Sequence, residues 1–131
     1  MRLLFHAPPF NPSALALYER LSALDGIQQS EYIKSVNHLL NHLRTPIGLS
    51  TLAVLWPASQ NELLSLRKKN CLFRDMRIIL ILPDHQAETI SEGHLFRPRF
   101  VGYADGDPND IVAVVAKLMN SRQLPELRKA T

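Results

Sequence analysis

Short apolar runs and helix-spaced apolar stripes alternate five times along this chain. Residues 2–7 form the first run, which Pro8-Pro9 stops, and they predict a strand. Asn11-Pro12 supplies an N-cap and a proline suited to the first helical position. Ala14, Leu17, Leu21 and Leu24 recur at helical spacing, and Asp25-Gly26 closes that helix with a residue fit for left-handed geometry. Residues 27–33 are a more polar strand, as an edge position demands. Ser35 caps a second helix with Val36, Leu39, Leu40 and Leu43 on one face, and Pro46 stops it near Thr45.

The second half keeps the rhythm. Residues 52–56 form a third strand that emerges at Trp56-Pro57. Ser59-Gln60-Asn61-Glu62 reads as a capping box, in which hydroxyl and carboxylate each satisfy an orphan amide. That helix is expected to reach about Asn70, with Leu63 and Leu66 facing in. Residues 76–82 include Ile78-Ile79-Leu80-Ile81-Leu82, an unbroken apolar run that marks a central parallel strand buried on both faces. Pro83-Asp84 ends it; Asp84 is expected to cap a short helix to about Glu92, with Gly93 at its end. Residues 100–103 predict the fifth strand. Asp107-Pro108 opens a last helix carrying Ile111, Val112, Val114, Val115, Leu118 and Met119. This order predicts an α/β domain over residues 1–121: a doubly wound parallel sheet in the order 2-1-3-4-5 with helices on both faces, followed by a charged tail at 122–131.

Composition narrows the function classes. At 131 residues, 46% hydrophobic and 21% charged, the chain suits one ordinary core. A net charge of +3 is too small to argue for nucleic acid. Cys71 is the only cysteine, so no internal disulfide is possible and a reducing compartment is expected. The apolar runs are too short to span a membrane, and the opening segment breaks too early for a secretory signal. A cytoplasmic location is expected.

In element order, lengths and hydrophobic rhythm the chain resembles the receiver domain of bacterial response regulators, over roughly residues 2–119. The phrase Asp107-Pro108-Asn109-Asp110-Ile111 looks like the one that opens the last receiver helix. The resemblance implies a flavodoxin-like fold. Receiver chemistry needs an acidic pair after strand one to hold magnesium and a phosphoacceptor aspartate ending strand three. It also needs a hydroxyl ending strand four and a lysine ending strand five. Here the four strands end at His6-Ala7-Pro8, Leu55-Trp56-Pro57, Leu82-Pro83-Asp84 and Tyr103-Ala104-Asp105. None of the four roles is filled, and Trp56 stands at the phosphoacceptor position. The resemblance therefore implies a pseudo-receiver: a non-catalytic signalling or protein-interaction module without phosphoryl transfer. It implies a working surface on the fourth helix, fifth strand and fifth helix, for a protein partner or a homodimer. Gln86, Arg97, Arg99, Tyr103 and Lys117 are its candidate members.

Other chemistry finds little support. The loop after strand one has too few hydroxyls for a flavin phosphate, no G-x-G-x-x-G or G-x-x-x-x-G-K-[ST] occurs, and the cobalamin signature is missing. No cofactor or metal is expected. His38 and His42 have chelating spacing but fall opposite the apolar face of their helix, where a solvated polar face accounts for them. His6, Asp84, His85, Asp105 and Asp107 are candidates to converge at the carboxyl edge for acid–base work, although Asp84 and Asp107 also suit helix caps. A small enzyme or ligand-binding protein using His6, Trp56, Asp84 and Asp105 in that crevice is the rival reading. Asp105-Gly106-Asp107 has half of a calcium loop and reads as a turn. Trp56 is either a recognition aromatic at a pocket rim or, as favoured, the filler of an abandoned phosphate site. Cys71 reads as a small buried residue. Arg67, Lys68, Lys69, Arg74 and Arg77 read as a solvated helix end without the interleaved aromatics of a nucleic-acid surface.

Overall fold

The sheet is built from the two segments the chain buries most completely. In the computed structural model, which describes residues 2–43, 51–69, 73 and 76–123, β3 (Thr51–Leu55) and β4 (Arg77–Leu82) pair in parallel at the sheet centre. Every residue of β3 is buried, as is all of β4 after Arg77. Burial on both faces is the condition under which alternation of polar and apolar residues disappears. β1 (Arg2–His6) pairs with β3 on one side and with β2 (Gln29–Ile33) on the other, and β5 (Phe100–Tyr103) closes the far end. The order is β2-β1-β3-β4-β5, all parallel, the flavodoxin-like arrangement read from the sequence.

Five helices cover the two faces: α1 (Pro12–Ser22), α2 (Val36–Leu43), α3 (Gln60–Arg67), α4 (Ala87–His94) and α5 (Pro108–Gln123). Strand parity sorts the core into two layers. Leu3, Phe5, Leu52, Val54, Ile79 and Ile81 meet α1 and α5, whereas Leu4, Ala53, Leu55, Ile78, Leu80 and Leu82 meet α2, α3 and α4. On the first face Phe5, Tyr18 and Tyr32 form a triangle of rings with centroids 5.3–5.6 Å apart.

Local chemistry sets most element ends. Asn11 accepts from the Ala14 amide at 3.1 Å, Ser59 from Glu62 at 3.3 Å, and Ser35 from His38 at 3.1 Å. Gly26 takes φ 99°, which glycine adopts without strain. Some expected ends differ. α1 stops at Ser22, ahead of Asp25, and α3 stops at Arg67 rather than near Asn70. Gly93 lies inside α4, not after it, because the helix presses against β4 there: a Cβ would stand 2.9 Å from a Leu82 methyl and 3.0 Å from a Leu80 methyl. α5 runs to Gln123, past the expected boundary at 121. Cys71, Arg74, Pro46, the His42 side chain and the tail from 124 onward lie outside the described residues.

Candidate functional site

The carboxyl ends of the strands bring together three separate arrangements. At the end of β1, His6 is fully buried on the α2–α3–α4 face. Its Nδ1 lies 3.0 Å from the Ile33 carbonyl, which can only accept, so Nδ1–H donates. Its Nε2 donates to Glu62 Oε1 at 2.8 Å. Glu62 sits in the first turn of α3, which rises from β3 beside β1. The hydrogen bond from His6, followed by its charge, holds the Glu62 carboxyl below its ordinary range despite partial burial. The capping box is therefore only half of the expected one. Ser59 caps the helix, but the Glu62 carboxylate goes to His6 and, at 3.4 Å, to the Ala58 amide.

At the end of β3 the backbone continues one residue past the strand, with Trp56 N–H donating to the His6 carbonyl at 2.8 Å. Parity turns Trp56 onto the opposite face from His6, into the layer under α1 and α5, where it is 7% exposed. There it packs with Leu17 and Ile111 at the base of a cavity of about 240 Å³, with Tyr103 and Arg20 also in its lining.

The third arrangement is at the ends of β4 and β5. Asp84 accepts from the Gln86 amide at 3.0 Å, a turn of its own that precedes α4; Gln86, not Asp84, stands at the N-cap, and it makes no side-chain cap bond. Asp107 accepts from the Asn109 amide at 2.9 Å as α5 begins. His85 and Asp105 do meet: Nε2 lies 3.0 and 3.3 Å from the two carboxylate oxygens, and the imidazole stacks on Tyr103 with centroids 4.0 Å apart. The hydrogen bond from His85 lowers the Asp105 pKa first, and its charge adds to this, on a fully solvated surface. Of the five edge candidates only His85 and Asp105 pair with each other; His6 lies on Glu62 instead, and Asp84 and Asp107 serve turns, so the five do not converge on one site.

On the candidate interaction surface, Gln86, Arg97, Arg99 and Lys117 are exposed and Tyr103 is half-buried against His85. Arg97 occupies left-handed backbone, φ 53°, in the turn into β5. Of the basic cluster, Arg67 pairs with Glu92 across α3 and α4, and Lys68 and Lys69 are exposed. Among the described residues no group of three or more histidine, cysteine or carboxylate side chains is placed to hold a metal, and the magnesium set of a receiver is not fitted by the residues present. No helix among them is long and apolar enough to cross a membrane.

The His6–Glu62 contact joins residues 56 positions apart and was not read from the sequence. A signal existed: strand order 2-1-3 sets the last residue of β1 beside the first turn of α3. No protein-family model, curated protein or solved structure matches this chain.

Proposed function

We propose that this chain is a pseudo-receiver, a protein-interaction module of receiver type that does not accept a phosphoryl group on aspartate. One observation carries the reading: a buried Trp56 directly follows β3, where a receiver would present its reacting carboxylate. Phosphoryl transfer depends on metal and cationic groups around the transferred phosphoryl. The neighbouring strand ends offer a histidine already bound to Glu62, a proline and an alanine in the places where those groups would stand. The same reading gives α4, β5 and α5 the role of docking surface, for a partner protein or a second copy. Exposed Arg97, Arg99 and Lys117 supply positive charge there, and half-buried Tyr103 an amphipathic ring.

Incubation with magnesium and acetyl phosphate is expected to leave the intact mass unchanged, and a phosphorylated species would overturn the proposal. If the docking surface is used between copies, Arg97→Glu with Arg99→Glu shifts the sedimentation of the protein.

A second reading has one observation in its favour, the His85–Asp105 pair beside Tyr103, which is the geometry of an oriented histidine base. It makes the chain a small α/β enzyme or ligand-binding protein at the carboxyl edge. A thermal shift with a nucleotide, flavin or divalent metal that disappears in Asp105→Asn supports it over the first.

A further inference from the structure

We infer that the cavity between α1 and the turn joining β5 to α5 is a binding site for a small aromatic carboxylate. Three features choose that ligand. The first is size. At about 240 Å³ the cavity exceeds the roughly 150 Å³ that accommodates a benzene ring and falls below the roughly 300 Å³ where drug-sized pockets begin. One substituted ring fits.

The second is the wall chemistry. Trp56 and Tyr103 are aromatic, and buried Leu17 and Ile111 complete an apolar base. Aromatic side chains favour offset or edge-on contact with another ring.

The third is charge. Besides the Tyr103 hydroxyl and the Trp56 indole N–H, the lining has two polar side chains, the exposed Ser13 and Arg20, three and four residues from Ala16 on the same stripe of α1. Arg20 is tethered at 2.8 Å to the Asn109 side-chain oxygen, a neutral acceptor. It has no carboxylate in ion-pair range among the described residues. Guanidinium carries five donors, so the tether leaves others for a carboxylate, whose two oxygens match its fork. An anionic ring compound therefore satisfies the apolar base and the cation together.

The inference stands apart from the pseudo-receiver reading, since its test involves no phosphodonor and no partner. Trp56 is the only tryptophan, so its emission reports on the cavity directly. Titration of the full chain with benzoate is expected to change that emission saturably. Benzamide, the same shape without the charge, is expected to bind about tenfold more weakly, and Arg20→Gln to remove the difference between the two. Ala16→Leu, an exposed helical position where leucine is well tolerated, is expected to occupy the cavity and abolish the response with an unchanged circular dichroism spectrum. Absence of saturation up to about 10 mM benzoate overturns the inference. So does equal binding of benzamide by the parent protein, an undiminished response in folded Ala16→Leu, or calorimetric binding that leaves Trp56 emission unmoved. Should Ala16→Leu fail to fold, the benzamide comparison and Arg20→Gln still decide the matter.

Discussion

Both ring nitrogens of His6 have hydrogen-bond partners, and this fixes its orientation. Nδ1 faces the Ile33 carbonyl and Nε2 the Glu62 carboxyl, so a buried ring is held against a carboxyl that is 25% exposed. Removing one member of such a pair strands the other. His6→Ala is expected to lower unfolding free energy by about 2 kcal/mol at neutral pH, short of the 3–5 kcal/mol of a wholly buried pair because Glu62 keeps some water; urea denaturation measures it. The pH dependence has a definite sign. Glu62 titrates lower in the folded chain, so its contribution is complete above the ordinary carboxyl value of 4.5 and is lost as pH falls through the depressed folded value. Glu62→Gln should flatten the acid limb of stability below about pH 4.5, and a limb as steep as that of the parent protein would assign acid sensitivity to other carboxylates. The sequence shows a capping glutamate and a strand-end histidine but not their meeting, because nothing local links positions 6 and 62.

Helix α4 illustrates what local rules can and cannot decide. Glycine after an apolar stripe normally marks a helix end, so Gly93 reads as a terminator. Here the helix runs on through Gly93 to His94, and α4 lies so close to β4 that a Cβ at Gly93 would push the terminal methyls of Leu80 and Leu82 aside. Gly93→Ala gains up to about 1 kcal/mol of helix propensity but introduces overpacking of about 1–3 kcal/mol. The contacts fall on fully buried leucines, so the net effect expected is a loss of about 1 kcal/mol in chemical denaturation. Where neighbours were not needed, the sequence sufficed. The Asn11-Pro12 and Asp107-Pro108 starts and the apolar run of β4 lie where short-range capping and burial patterns put them. The ends of α1 and α3 were less legible, since α1 closes on Ala23 and α3 on Lys68, neither of them a distinctive stop signal.

Across the whole molecule, the five-unit rhythm carried the sheet order, because short connections and right-handed crossovers leave few alternatives. Which strand-end side chains share a pocket was not legible. That depends on parity, which sends His6 and Trp56 to opposite faces although their backbones are hydrogen-bonded. Restoring one carboxylate should therefore not restore a receiver's chemistry. Trp56→Asp is expected to show no mass gain with magnesium and acetyl phosphate. It is also expected to lose about 3–5 kcal/mol of stability through the vacated ring volume. A mass gain would mean that the tryptophan alone withholds the reaction. The sheet has two edges of unlike character. On β2, Glu31 faces water and pairs with Arg2 at 3.7 Å; β5, Phe100-Val101-Gly102-Tyr103, has a strand neighbour on one side only among the described residues and carries no charge. An uncharged open edge is a template for fibrous aggregation once heating loosens the helices beside it. Val101→Lys should lengthen the lag before thioflavin-positive fibrils form on heating, and an unchanged lag would place the nucleus elsewhere. Misassembly of this protein is thus expected to begin at β5.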